Sequence, residues 1–108
     1  MKILAAQLHS NTVKKFEYRS HSGIWYYGGY VTERSKARDI GHAELMHAVR
    51  HGELIEWHDE TGTERVLLRD ELGICVVLDL DTRNIITVYR NNVGDNHATL
   101  DTCKYAFA

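Results

Sequence analysis

The sequence predicts an α+β fold: an N-terminal hairpin, one or two short helices, then a four-stranded antiparallel meander covered by a helix on one face. Three observations lead to this prediction. Residues 42–51 place their apolar side chains at helical spacing. From residue 54 onward the period changes to two, as in strands with one buried face. The chain contains no proline, so its turns fall on Gly, Asn, Asp and Ser.

The two ends of the chain carry weaker signals than the middle. Residues 2–8 are apolar but short, so that both helix and strand are open, and we favour a strand. Residues 91–96 predict a loop. Residues 99–107 predict a short strand or a helical turn that packs back onto the body of the protein through Leu100, Tyr105 and Phe107.

Residues 14–31 predict the N-terminal hairpin. A weak alternation of apolar and polar side chains comes first, and a turn signal follows at residues 20–23. The aromatic run at residues 24–27 suits a strand. The two glycines at residues 28–29 then break the strand or form a bulge.

Two helices are expected next. Residues 32–39 are polar and predict a short exposed helix with Thr32 as its N-cap. Residues 42–51 form the strongest helix of the chain, and Gly52 stands where a left-handed C-terminal cap would lie. The apolar stripe of this second helix consists of Leu45, Met46, Ala48 and Val49.

The second half of the chain predicts strands joined by tight turns, at residues 54–58, 64–69, 74–80 and 85–89. Alternation gives this meander two faces. The face predicted to lie under the helix carries Ile55, Trp57, Val66, Leu68, Val76, Leu78, Ile86 and Val88. The opposite face carries Glu56, His58, Arg65, Arg69, Thr87 and Tyr89 around a partly apolar floor of Leu67, Val77 and Ile85. Such a mixed face is typical of a groove for a polar ligand.

Length and composition predict one domain spanning residues 1–108. Hydrophobic residues make up 44% of the chain and charged residues 26%, which is typical of a globular protein with one core. Its two cysteines are too few for a disulfide framework and favour a reducing, cytoplasmic location. No stretch approaches the roughly 20 apolar residues of a membrane span, so we expect no membrane partner.

The charge balance bears on nucleic-acid binding. The net charge of −2, with histidine neutral, predicts no global attraction to a phosphate backbone. Protonation of the seven histidines near about pH 6 would make the protein basic. Composition alone leaves room for a local basic groove but does not argue for one.

The order of motifs from Arg34 to Tyr89 is informative. The pieces are residues 34–40 with spaced basic side chains, residues 44–49, Gly-Glu-Leu-Ile-Glu at residues 52–56, and Ile-Thr-Val-Tyr at residues 86–89. Together they resemble a small uncharacterised domain family related to the barnase–EndoU–colicin–RelE group of ribonucleases and toxins. The resemblance covers about half of the chain. The family usually has a histidine early in its first helix, where this sequence has Tyr30.

The resemblance implies RNA cleavage or RNA binding by the polar sheet face. Cleavage without a metal needs a group that activates the 2′-hydroxyl, a proton donor for the leaving oxygen and a cation for the charged phosphorane. The catalytic candidates are His58, Arg65, Arg69, Thr87 and Tyr89, and the candidates for nucleic-acid binding are Arg34 and Arg38. His58 would act as acid or base, the arginines would hold phosphate, and Thr87 and Tyr89 would bind or donate a proton. The plainer interpretation is a solvated face with cross-strand ion pairs such as Glu56 with Arg65.

A different class of function is the alternative to RNA cleavage or binding, and the sequence does not decide whether the protein is an enzyme. A compact, slightly acidic domain without the family's histidine can be a non-catalytic inhibitor, encoded by a phage or mobile element, that docks on a host protein. Trp25, Tyr26 and Tyr27 would be its anchors, and a sheet edge would offer strand pairing. The plainer interpretation of the aromatic run is a core or edge strand. A homodimer formed through the first hairpin is a third alternative.

No cofactor or metal site is predicted. His47 and His51 are four residues apart on a helix, a spacing that can bind zinc, but no third ligand is identifiable and the His-Glu-x-x-His signature is missing. We therefore expect surface histidines. Cys75 and Cys103 have no designated basic partner and are expected to be buried apolar side chains.

Overall fold

The computed structural model describes residues 2–60 and 62–91, which form three α-helices and five strands. The elements are β1 (Lys2–Leu4), a short 3-10 turn (Ala5–Gln7), α1 (Ser10–His21), α2 (Gly29–Ala37), α3 (His42–His51), β2 (Glu53–Glu60), β3 (Thr63–Arg69), β4 (Ile74–Asp79) and β5 (Asn84–Arg90). The predicted α+β class is confirmed.

The strands form one antiparallel sheet in the order β1-β2-β3-β4-β5. The predicted four-stranded meander is confirmed as β2 to β5. The sheet gains a fifth strand because β1 pairs with β2 and places Ile3 opposite Trp57. A strand among residues 2–8 is therefore confirmed, although it covers only three residues.

The predicted N-terminal hairpin is wrong, because residues 14–31 contain most of α1 and the start of α2. The side chain of His9 caps α1 by accepting a hydrogen bond from the backbone N–H of Asn11. Phe16 and Ser20, four residues apart, form its buried face. The helical spacing of these buried residues outweighs the weak alternation in this region. The alternative of a homodimer formed through the hairpin therefore no longer has the hairpin that it requires.

Both ends of the predicted helix at residues 32–39 shift. The helix begins at Gly29, so Thr32 lies inside it, and the Thr32 hydroxyl donates to the Gly28 carbonyl instead of capping. The strongest predicted helix, residues 42–51, is confirmed at both ends. Gly52 follows it but is not a left-handed cap, since its φ is −66°. A Cβ atom there would lie 2.9 Å from the Leu68 Cβ, so the close approach of α3 to β3 favours glycine.

The three helices pack on one face of the sheet. Phe16 of α1, Val31 of α2 and Leu45 of α3 meet strand residues in a single core. The strand residues of this core are Leu54, Val66, Leu68, Ile74, Val76, Leu78, Ile85 and Val88, with Trp57 packed against them.

Two β-bulges change the predicted faces of the sheet. The register shifts between Leu54 and Glu56, and again where Val77 and Leu78 pair with Thr87 and Ile85. Each bulge inserts one extra residue, and alternation restarts on the other side of it. Ile55 and Ile86 were predicted to lie under the helix and do not, while Ile85 was predicted on the polar face and lies in the helix-facing core.

Some expectations fall outside this description. The predicted packing of Leu100, Tyr105 and Phe107, and the role of Cys103, lie beyond residue 91, outside the described residues. Within residues 2–60 and 62–91, none of the helices has the length and apolar character that crossing a bilayer requires.

Candidate functional site

The sheet face opposite the helices, called the polar face below, carries all five side chains predicted to be catalytic. Register fixes their neighbours. His58 lies opposite Arg65, Thr87 lies opposite Val77, and Cys75 of β4 lies between Arg69 and Tyr89. The floor of this face is the apolar cluster of Ile55, Leu67, Cys75 and Val77, with Ile86 and Tyr89 packed against it.

The five side chains share a face but divide into two groups. Adjacent strands lie about 4.8 Å apart, so the backbones of β2 and β5 are separated by roughly 14 Å. His58 and Arg65 form the group on β2 and β3. Thr87 and Tyr89 form the group on β5, and Arg69 approaches it from β3 across Cys75.

A buried acid–histidine pair lies at the centre of the first group. The Glu56 side chain has no exposed surface, and its Oε2 lies 3.0 Å from Nε2 of His58. Lys2 Nζ lies 3.9 Å from the other carboxylate oxygen of Glu56. Because an isolated buried carboxylate is costly, these two partners hold Glu56 in place and orient the imidazole of His58.

Sequence reasoning placed Glu56 on this face as a partner of Arg65, but it missed the pairing of Glu56 with His58 and with Lys2. The signal for Glu56 was present, since Glu56 and His58 are two residues apart on one strand and share a face. Lys2 gave no local signal, because it reaches the site only through the pairing of β1 with β2.

Two hydrogen-bonding atoms on the polar face are buried without a partner in the described part of the chain: Arg65 Nε and Thr87 Oγ1. Both can donate a hydrogen bond. Leaving such a group buried and unpaired costs about 1–3 kcal/mol, and most buried polar groups in proteins have a partner. The polar face therefore presents two donors that a ligand or ordered water would satisfy.

Tyr89 is a neutral donor. Burial raises the pKa of its phenol well above the ordinary value, and the neighbouring Cys75 and Glu56 act in the same direction. Arg69 opposes them without reversing the shift. The phenol therefore keeps its proton at physiological pH and cannot serve as a base. Cys75 itself is fully buried, as the sequence predicted.

The two arginines predicted to bind nucleic acid belong to the helix layer and not to the polar face. The guanidinium of Arg34 lies 5.0 Å from the Tyr30 ring centroid, and its Nε donates to the Tyr30 hydroxyl at 3.0 Å. Tyr30, which stands where the family has histidine, is thus a partner of Arg34. Arg38 is the C-cap of α2, and its buried Nη1 has no hydrogen-bond partner in the described part of the chain.

The three aromatic residues predicted to anchor a partner differ in exposure. Trp25 is only 7% exposed, and its Nε1 donates to the Ser20 carbonyl, so it is a core residue and not an anchor. Tyr27 is half-buried and its hydroxyl is hydrogen-bonded to His42 Nδ1. Tyr26 is 59% exposed, while its backbone pairs with the start of β5 through Ile85.

A separate group of potential metal ligands lies at the end of α3. His47, Asp70 and Glu71 offer ligand atoms that all lie within 4.8 Å of one another. This group stands apart from the acid–histidine pair.

No family model, curated protein or solved structure matches this chain. Its class is therefore defined by its own geometry. In the described residues, three helices cover one face of a five-stranded antiparallel sheet, and the other face carries a buried acid–histidine pair. The resemblance to the barnase–EndoU–colicin–RelE group stays a prediction.

Proposed function

We propose that this protein is a RelE/barnase-like, toxin-like protein that binds RNA on the polar face and cleaves it without a metal ion. One observation carries the proposal. His58, held by the buried carboxylate of Glu56, lies opposite Arg65, whose buried Nε has no hydrogen-bond partner in the described part of the chain. An oriented base beside an available cation is what phosphodiester cleavage requires.

The chemistry assigns one role to each group. His58 accepts the proton of the 2′-hydroxyl, whose oxygen then attacks the neighbouring phosphorus. The 5′-oxygen leaves with a proton taken from water, and a 2′,3′-cyclic phosphate remains. Glu56 orients the imidazole and stabilises it once protonated.

The phosphate is the part of the ligand that the arginines recognise. Arg65 and Arg69 are half-buried. The guanidinium of Arg65, opposite His58, can pair with phosphate oxygens while the charge of the phosphorane develops, and Arg69 can hold another phosphate of the RNA. The neutral phenol of Tyr89, in the separate group on β5, supplies a hydrogen bond to another part of the bound RNA. Thr87 adds a hydroxyl donor on the same strand.

Labelled RNA incubated with tag-free protein in excess chelator tests the proposal. We expect cleavage by the wild type and a loss of about 10²-fold or more for His58→Ala. His51→Ala is the matched control, since it removes an exposed histidine of α3 that is not among the predicted catalytic residues. Intact RNA with the wild type, together with no growth defect on expression, would contradict the enzyme proposal.

A non-catalytic inhibitor of a host protein is the second candidate, and the exposure of several large apolar side chains favours it. Tyr26 is 59% exposed, Ile24 67% and Tyr18 73%. Exposed aromatic side chains are typical anchors of protein interfaces.

Capture from a host lysate with Tyr26→Ala and Arg65→Ala variants separates the two functions. One stoichiometric protein partner that is lost with Tyr26→Ala and kept with Arg65→Ala favours the inhibitor. RNA that co-purifies with the wild type and is lost with Arg65→Ala favours RNA binding. Size-exclusion chromatography with light scattering reports whether the partner is a second copy of the chain.

A further inference from the structure

A cleft of about 310 Å³ lies where the end of α3 meets the turn between β3 and β4. Its lining residues are His51, Glu53, Arg69, Asp70 and Glu71. His47, one helical turn before His51, joins this cleft by a contact of 2.6 Å between its Nε2 and Glu71 Oε1. A nitrogen donor from the helix thus meets two carboxylates from the turn.

Asp70 is the residue of this cleft whose surroundings best fit a bound cation. Its side chain is buried, with the residue only 4% exposed. Oδ1 accepts hydrogen bonds from the backbone N–H groups of Leu72 and Ile74, at 2.9 and 3.0 Å. Oδ2 is buried and has no hydrogen-bond partner in the described part of the chain. A buried carboxylate oxygen without a donor is costly unless a cation compensates it.

We infer that His47, Asp70 and Glu71 bind one divalent transition-metal ion of the zinc class. The donor set of one imidazole and two carboxylates suits zinc, which binds nitrogen and oxygen at about 2.0–2.2 Å. Tetrahedral ligand atoms at that radius lie about 3.3 Å from one another. The three ligand atoms already lie within 4.8 Å of one another, so a contraction of about 1.5 Å or less completes the site.

The side chains that must move to complete the metal site are those of His47 and Glu71. The side chains of His47 and Glu71 are 40% and 63% exposed, so both can change rotamer without disturbing the core. Asp70 stays fixed by its two backbone hydrogen bonds.

The proposed metal ligands do not include both histidines of the pair that spacing alone suggested. His47 and His51 have ring centroids 4.7 Å apart, but His51 is not part of the group whose ligand atoms converge. The structure thus supplies the ligands that sequence reasoning lacked, and they come from a turn more than twenty residues away from His47. Three protein ligands leave a fourth position for water from the cleft.

The test uses the full chain without an affinity tag, stripped with chelator, dialysed and titrated with Zn²⁺ by calorimetry. We expect one ion per chain and a rise in melting temperature with zinc. The dissociation constant should rise at least about tenfold in His47→Ala and in Glu71→Gln, whose exposed positions preserve folding. His51→Ala is the matched control, with the same residue type one turn along α3, and should change affinity less than about threefold.

Cobalt supplies an independent readout. Co²⁺ bound in the wild type should show visible absorption bands that Glu71→Gln and Asp70→Asn weaken, and circular dichroism confirms that each variant is folded. The inference is overturned if wild type binds no zinc, if His47→Ala and Glu71→Gln bind it as tightly as wild type, or if His51→Ala loses binding while Glu71→Gln keeps it.

Discussion

The two faces of the sheet differ in the kind of side chain that they bury. The helix-facing side is closed by aliphatic and aromatic side chains from helices and strands. The polar face buries Glu56, His58 and Thr87 to at least nine-tenths although their chemistry favours water. The first face accounts for the fold. The buried polar groups of the polar face cost stability, which is why we propose that this face serves a ligand.

Two arginines show the same contrast at the level of single residues. Arg83 donates from Nη1 to the Arg19 carbonyl at 2.7 Å and from Nη2 to the Ser22 carbonyl, and it lies 3.8 Å above the Trp25 ring centroid. It fastens the segment after α1 to the turn before β5. Arg65 instead has a buried Nε without a hydrogen-bond partner in the described residues. Arg83 is therefore a structural clamp, whereas Arg65 is available to a ligand.

The largest expected effect tests the helix-facing side. Leu68 is fully buried in that core, so Leu68→Ala should lower the free energy of unfolding by about 2–5 kcal/mol through lost burial and a cavity. Urea denaturation followed by circular dichroism measures it. Leu72→Ala is the matched control, because Leu72 is 63% exposed and should change stability by less than about 0.5 kcal/mol. Equal losses of unfolding free energy in the two variants would contradict the conclusion that the helix-facing core stabilises the fold.

The clamp predicts the next largest effect. Arg83→Ala removes the hydrogen bonds to three carbonyls and the stacking on Trp25, and should cost about 2 kcal/mol. Arg34→Ala is the control, since Arg34 contacts the exposed Tyr30 and should cost about 0.5 kcal/mol. Near-ultraviolet circular dichroism should show altered packing of Trp25 in the Arg83 variant. A clamp that contributes nothing would leave both the stability and this signal unchanged.

Local patterns explain which parts of the fold were predictable. Residues 42–51 and strands β2 to β5 were predicted correctly because helical spacing and alternation are local properties of the sequence. The predicted assignment of residues to faces was wrong at Ile55 and Ile86, because bulges are set by pairing with neighbouring strands. The hairpin failed at residues 14–31, where an aromatic run was taken for a strand although Trp25 enters the core from a loop.

The candidate site was predictable to a similar extent. Alternation placed His58, Arg65 and Arg69 on one face, and their register followed from the meander. The partners of His58 and His47 were less accessible to sequence reasoning. Lys2 reaches Glu56 through β1, and Asp70 reaches His47 through the packing of α3 beside the β3–β4 turn, so both contacts depend on tertiary structure.

A smaller effect concerns the pH dependence of stability. The pKa of Tyr89 is raised in the folded protein, mainly by burial, above its unfolded value of about 10. The contribution of this group is therefore fully present below about pH 10 and is lost as the pH rises further. Tyr89→Phe should flatten the decline in stability above pH 10, as measured by denaturant melts, whereas Tyr26→Phe, at an exposed position, should not.

The smallest expected effect is the most direct test of the polar face. Thr87 Oγ1 is buried and has no hydrogen-bond partner in the described part of the chain, so Thr87→Val replaces an unsatisfied hydroxyl with a methyl group of similar shape. Removing it should leave stability unchanged or raise it by up to about 1 kcal/mol. Ser20→Ala is the control, since the Ser20 hydroxyl donates to the Phe16 carbonyl at 2.8 Å and its loss should lower stability. If Thr87→Val instead destabilises the ligand-free protein by as much as Ser20→Ala, the Thr87 hydroxyl has a structural partner and is not held ready for RNA.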